Sequence, residues 1–261
     1  MAFESNIDVS SIWGDTDAMP RAPRGMGSGF AAKAETTGFS LYDGPVFPRT
    51  DWDELMDLQD KNLSSPYDTH KAHVEIKNQK STNYCWSFGM CTVVETEYAM
   101  AGMHNIGLSP AAVACQAKDF QNVGGWGEDA AKQIVKTGIP TYKTWKNVSF
   151  DRSLPNNPAV IKDSARHNIL SFSEFDRGSF DEVVSCLISP YGAKPVTGGY
   201  NHWRHLITLL KAVKVDGQIG VLFANSWGSD WSNDGGYGIL LGGKAIADEA
   251  VSVSGIKPRS K

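Results

Sequence analysis

The chain has 261 residues and a mass of 28.4 kDa, with 41% hydrophobic and 21% charged residues, a composition that supports a sizeable core and excludes a disordered tail or a fibre. Twenty-five Lys and Arg against 29 Asp and Glu give a net charge of −4, which leaves no concentrated positive field for nucleic acid or an anionic membrane surface. No run approaches the roughly 18 apolar residues of a membrane span, so a soluble protein is expected. Met1 to Asp8 carry acids where a secretory signal carries bases. Cys85, Cys91, Cys115 and Cys186 are too sparse for a disulfide framework, so reduced thiols and a cytoplasmic or other reducing compartment are expected.

Residues 1–46 mix Gly, Ala, Pro and Ser without periodicity and read as an extended N-terminal arm, followed by a single domain over 47–261. Asn83-Tyr84-Cys85-Trp86-Ser87-Phe88 opens a helical pattern with apolar residues at 88, 91, 94 and 98 that ends at Gly102. Ser109 with Pro110 announces a second helix, and a third spans Glu128 to Thr137 and stops at Gly138. Ser179-Phe180-Asp181-Glu182 has capping-box spacing and predicts a fourth. After Pro195 the pattern turns to strands: Leu206 to Leu210, a turn at Asp216-Gly217, then Ile219 to Ala224. The expected class is α+β, with a helical part at about 79–150, a β-rich part at about 160–255 and an active site in the cleft between them.

Cys85 falls at the start of a helix, where partial positive charge and free N–H groups favour a thiolate nucleophile. A lone cysteine is more often a small core residue, so the position alone does not assign chemistry. Its surroundings do more. Gln79 precedes Cys85 by six residues, Trp86 follows it, and Asn225-Ser226-Trp227-Gly228 with Gly235-Gly236-Tyr237-Gly238 lies some 140 residues on. This combination resembles the papain-like cysteine peptidases, and further matches at Phe47 to Trp52, Leu108-Ser109-Pro110, Gly124-Gly125-Trp126 and Gly138-Ile139 extend the likeness over most of residues 47–252.

The resemblance implies that Cys85 is the nucleophile, that Gln79 completes the oxyanion hole and that Asn225 orients a histidine. It also implies that Trp227 shields that histidine and that Gly124, Gly125 and Trp126 line the substrate cleft beside Trp86. Taken alone, the two glycines would fit a tight turn equally well. Thr82 and Asn122 stand where the family carries the two halves of a disulfide, and the segment before Phe47 is shorter than a helical propeptide. About fifteen additional residues separate Trp52 from Gln79.

Two histidines compete for the remaining role in Asn201-His202-Trp203-Arg204-His205-Leu206-Ile207. His202 has the preceding Asn usual in the family; His205 leads directly into the apolar run of a buried strand. If Asp216-Gly217 closes a two-residue hairpin, Asn225 falls opposite Thr208, about 10 Å along the strand from His205 and about 20 Å from His202. This favours His205, with His202 as a cleft or structural residue.

The expected reaction is hydrolysis of peptide bonds in a peptide or protein substrate through a thioester, with His205 holding the thiol as an ion pair. Transfer of the acyl group to an amine uses the same groups. A papain-like scaffold retained for binding or structure is the reading from another class. Cys85 and Cys91 lack a paired C-x2-C unit, so no metal and no cofactor is expected.

Overall fold

The computed structural model describes residues 26–27, 29–31 and 40–257. Helix α3 (Cys85–Met100) organises the helical half: all but two of its sixteen residues are buried, because neighbours cover every face. Helix α4 (Pro110–Ala117) starts with Pro at its first position, and Ser109 Oγ accepts from Ala112 N–H, an N-cap that satisfies one of the orphan donors there. Helix α5 (Gly127–Thr137) ends at Gly138, whose φ of 73° suits a glycine. These helices enclose a core that includes Trp86, Phe88, Met90, Val94, Leu108, Ala131 and Ile134.

The second half is a six-stranded antiparallel sheet in the order β1-β6-β2-β3-β4-β5. The strands are β1 (Phe172–Glu174), β2 (Val196–Tyr200), β3 (His205–Val215), β4 (Gln218–Ala224), β5 (Tyr237–Leu241) and β6 (Glu249–Val253). Helix α6 (Pro158–Ser164) precedes the sheet, and α7 (Phe180–Ile188) lies between β1 and β2. Ser179 stands at the N-cap of α7 but makes no side-chain cap bond. The expected capping box is therefore absent: Glu182 accepts from the Asp176 N–H at 3.2 Å, three residues before the N-cap, in place of the Ser179 N–H.

Three helices of the described residues went unread in the sequence, α6 and two before Cys85. The additional residues after Trp52 form α1 (Trp52–Asn62) and α2 (Pro66–His73), the latter closed by a reciprocal capping box between Ser65 and Asp68. They cover strands that would otherwise be exposed. Trp52 and Met56 pack with Val184, Ile188 and Ala212, while Tyr67 packs with Leu210, Leu222 and Tyr237. Lys211, buried in β3, pairs with Asp60 of α1, which answers its charge inside the packing.

The contact that sets the site is between α3 and β3. A side chain at Gly89 would meet the Leu206 side chain at 2.3 Å, and Thr208 Oγ1 donates to Gly89 O at 3.0 Å. Glycine lets the helix lie against the strand, and so brings Cys85, the first residue of α3, beside His205, the first residue of β3.

Candidate active site

His205 is fully buried and its Nε2 lies 2.8 Å from Asn225 Oδ1. A carboxamide oxygen only accepts, so the imidazole proton sits on Nε2 and Nδ1 keeps a free lone pair. Nδ1 has no hydrogen-bond partner. Trp227 stacks on the ring at 4.3 Å and 23° and excludes water from the His205–Asn225 bond. Asn225 reaches this position through a register change. Lys211 pairs with Leu222 but Leu209 with Phe223, so a bulge in β3 shifts the strands by one residue and draws Asn225 closer to His205 than a regular hairpin would. His202 is exposed and sits edge-on to Tyr200, away from this cluster.

Gln79 is held on three sides. Its N–H donates to Ser226 O at 2.8 Å, its Oε1 accepts from Ser226 Oγ at 2.5 Å, and its Nε2 donates to Thr82 O at 2.8 Å. These bonds fix the amide so that the second Nε2 proton points into the cleft. Sequence reasoning gave Ser226 no role although it lies inside the Asn225–Gly228 motif; its signal was a hydroxyl beside a required carboxamide.

The cleft is occupied by the chain's own arm. Gly27 O accepts from Gln79 Nε2 at 2.9 Å and from Trp227 Nε1 at 3.2 Å, Gly29 N–H donates to Cys85 Sγ at 3.2 Å, and Phe30 N–H donates to Arg204 O at 3.0 Å. Phe30 pairs in parallel with Gly125: Gly125 N–H donates to Gly29 O at 2.9 Å and Ala31 N–H to Gly125 O at 3.3 Å. Trp126 Nε1 adds a bond to Ala31 O at 3.0 Å. Neither Gly124 nor Gly125 has positive φ, which removes the turn explanation. They are glycines because a Cβ would strike Gly29 O at 2.4 Å and the Trp86 ring at 2.7 Å. Beyond the cleft, Tyr42 N–H donates to Glu174 O at 2.9 Å and Leu41 pairs in parallel with Glu174, anchoring the chain on the edge of β1. The parts of the arm at 1–25, 28 and 32–39 lie outside the described residues.

Burial changes the electrostatics expected from sequence. Burial pushes the Cys85 thiol up to about 11, against smaller opposing effects from the N–H groups of Gly29, Leu206 and Trp86, and holds His205 down to about 4. Burial thus disfavours the charged form of both groups in the closed cleft and opposes the thiolate–imidazolium pair expected from sequence. Cys91, Cys115 and Cys186 are also buried free thiols. Where the family resemblance predicted a missing disulfide, Asn83 N–H donates to Asn122 Oδ1 at 2.7 Å and Asn83 Nδ2 to Asn122 O at 3.0 Å, so hydrogen bonds join the same two segments.

A free imidazole lone pair, a thiol at a helix N-terminus and an amide donor aimed at a peptide carbonyl make up the equipment of acyl transfer through sulfur. Comparison with known proteins agrees. A "Cysteine protease" of Blomia tropicalis is 25% identical over 194 residues, covering 63% of this chain and 56% of that protein. "Fruit bromelain" of Ananas comosus is 24% identical over 222 residues, covering 78% of this chain and 62% of that protein. The chain thus spans about three fifths of the length of these curated relatives. The bromelain protease structure from Ananas comosus superposes with a TM-score of 0.59 at 18% identity, over 72% of this chain and 96% of that one, a likeness of fold. The sequence profile described as "Papain family cysteine protease" matches residues 63–254, which takes in Cys85, His205 and Asn225 together, and by that match the chain belongs to the papain family of cysteine proteases.

Proposed function

We propose that this protein is a cysteine endopeptidase held latent by its own arm. The observation that carries the reading is the pair of contacts at the cleft floor, where a peptide carbonyl, Gly27 O, takes the Gln79 amide while the same segment touches Cys85 Sγ. In the open cleft, His205 Nδ1 takes the thiol proton and the sulfur attacks a substrate carbonyl carbon. Gln79 Nε2 stabilises the oxyanion, a donor typically worth about 3 kcal/mol of barrier. The imidazolium then gives its proton to the leaving amine, and water, deprotonated by the same nitrogen, cleaves the thioester. Asn225 keeps the imidazole in its tautomer throughout.

The arm does not present itself for cleavage. Cys85 Sγ meets the Gly29 N–H and accepts from it at 3.2 Å. Four buried free thiols support work in a reducing compartment, which fractionation of the source cells followed by immunodetection tests. The function is tested by digesting a peptide library with the full-length protein, with Cys85→Ala as control. Cleavage at defined bonds, lost in Cys85→Ala, supports the reading; transfer to added amines in place of hydrolysis, or no turnover even after the arm is displaced by Gly29→Ala, overturns it.

A further inference from the structure

Lys118 closes helix α4, its N–H bonded to Ala114 O at 3.0 Å, and its ammonium group joins two parts of the cleft wall. Nζ lies over the Trp86 indole, 5.6 Å from the ring centroid, where the negative face of the ring attracts a cation. The same Nζ donates to Asp129 Oδ2 at 2.8 Å, and that oxygen also accepts from the Trp126 N–H at 3.1 Å. Trp86 in turn carries the segment before Trp126: its Nε1 donates to Val123 O at 3.4 Å, and a Cβ on Gly125 would lie 2.7 Å from the ring. One side chain thus touches both supports of residues 123–126, the segment whose backbone pairs with the arm.

We propose, resting on the peptidase reading above, that Lys118 is a positioning residue: it holds residues 123–126 where they hydrogen-bond a peptide backbone lying in the cleft. Its side chain acts through Trp86 and Asp129. The ion pair is partly exposed, at 28% and 25%, so it adds little to global stability and its effect falls on the segment it holds. Methionine at this position keeps the apolar stem and loses the charge and the donor, whereas arginine keeps both and also stacks on an indole face. A looser segment binds every extended peptide less tightly, whether arm or substrate. The two ligands then give opposite readings: release of the arm frees Cys85 for a small reagent that needs no wall, while weaker substrate contacts raise KM.

The test compares the full-length protein with Lys118→Met and Lys118→Arg, each also combined with Gly29→Ala to displace the arm. Labelling of Cys85 by iodoacetamide at neutral pH, followed by mass spectrometry, should be about fivefold faster in Lys118→Met than in the parent, the scale of a partly exposed cation–π contact and ion pair. In the Gly29→Ala background the arm no longer competes. There Lys118→Met should raise KM for a peptide found by library digestion by about fivefold and leave kcat within about twofold, the pattern of lost binding shared by ground and transition states. Lys118→Arg should match the parent in both measurements, and Tm should shift by no more than about 2 °C in either variant. Equal labelling rates, an unchanged KM, a fall in kcat at constant KM, an arginine variant no better than methionine, or a Tm loss above about 5 °C would each overturn the proposal. Faster labelling of Lys118→Met without turnover of any peptide would remove the peptidase reading and leave the positioning role standing. Turnover with labelling and KM both unchanged would do the reverse.

Discussion

The backbone N–H of Gly29 donates to the sulfur of Cys85 across 3.2 Å, so the arm meets the nucleophile with a donor and ties up the lone pair that would attack. The fit depends on the absence of a side chain, because a Cβ at Gly29 would lie 1.9 Å from Asn83 O. Gly29→Ala should therefore displace the arm and speed alkylation of Cys85 by iodoacetamide at neutral pH by about tenfold or more, as the thiol regains water and loses its burial penalty. Equal labelling rates in the two proteins would show that the arm does not restrain the thiol.

Cys85→Ala removes the attacking atom and little volume. Turnover of a peptide substrate should fall by roughly three or more orders of magnitude, the scale seen when covalent nucleophiles are removed. Circular dichroism should be unchanged. A variant that keeps most of its activity would place the chemistry elsewhere.

Only one of the two neighbouring histidines touches Asn225. His205→Ala should match the loss in Cys85→Ala, whereas His202→Ala, at an exposed position, should retain turnover within a few-fold. Measured side by side with folding verified, the opposite ranking would contradict the geometry of the His205–Asn225 bond.

Lys77 Nζ and Glu95 Oε2 lie 2.6 Å apart, with side-chain exposures of 4% and 2%, and Glu95 Oε1 also accepts from Leu108 N–H. The pair joins the segment leading to Gln79 to the helix of Cys85. Glu95→Ala leaves a buried ammonium without its partner and should cost about 3–5 kcal/mol in urea unfolding, while replacing both by Lys77→Met and Glu95→Leu should recover much of that loss. A cost below about 1 kcal/mol for Glu95→Ala would mean that water reaches Lys77.

Burial, assisted by the charge of Lys77, holds His70 down to about 3, and burial holds His205 down to about 4; an unfolded imidazole titrates near ~6.5. Between about pH 6.5 and 4 the unfolded chain binds protons that the folded chain refuses, so stability is complete above this window and falls as pH drops through it. His70 accounts for a separable share, since its Nδ1 bonds only to Tyr237 Oη at 2.8 Å. His70→Gln should narrow the fall in Tm between pH 7 and pH 4 by on the order of 5 °C. Parallel pH profiles for the two proteins would exclude His70 as the source.

The elements written in local patterns were legible: the helix opening at Cys85, the Ser109–Pro110 start of α4, the stop at Gly138 and the hairpin at Asp216-Gly217. Each depends on residues a few positions apart, whose caps, turns and periodicity act wherever the segment lies. The separated Gln79, Cys85 and Asn225 motifs were legible through their resemblance to a known family, and the preference for His205 over His202 from the apolar run that follows it and the hairpin register counted from Asp216-Gly217.

Other features are decided by partners distant in sequence. Lys211 is tolerated in a buried strand because α1 brings Asp60 to it. The bulge between Leu209 and Lys211, which completes the His205–Asn225 contact, depends on how β3 meets β4 and not on any turn residue. The state of the thiol is the clearest case. A helix N-terminus favours thiolate locally, yet burial pushes the Cys85 thiol up to about 11 against that effect and against the N–H bond from Gly29, 56 positions earlier in the chain. The sequence by itself determined which thiol, imidazole and amides stand in recognisable motifs; the tertiary structure decided how deeply they are buried and that burial disfavours their charged forms, because desolvation depends on what covers a group and not on what precedes it.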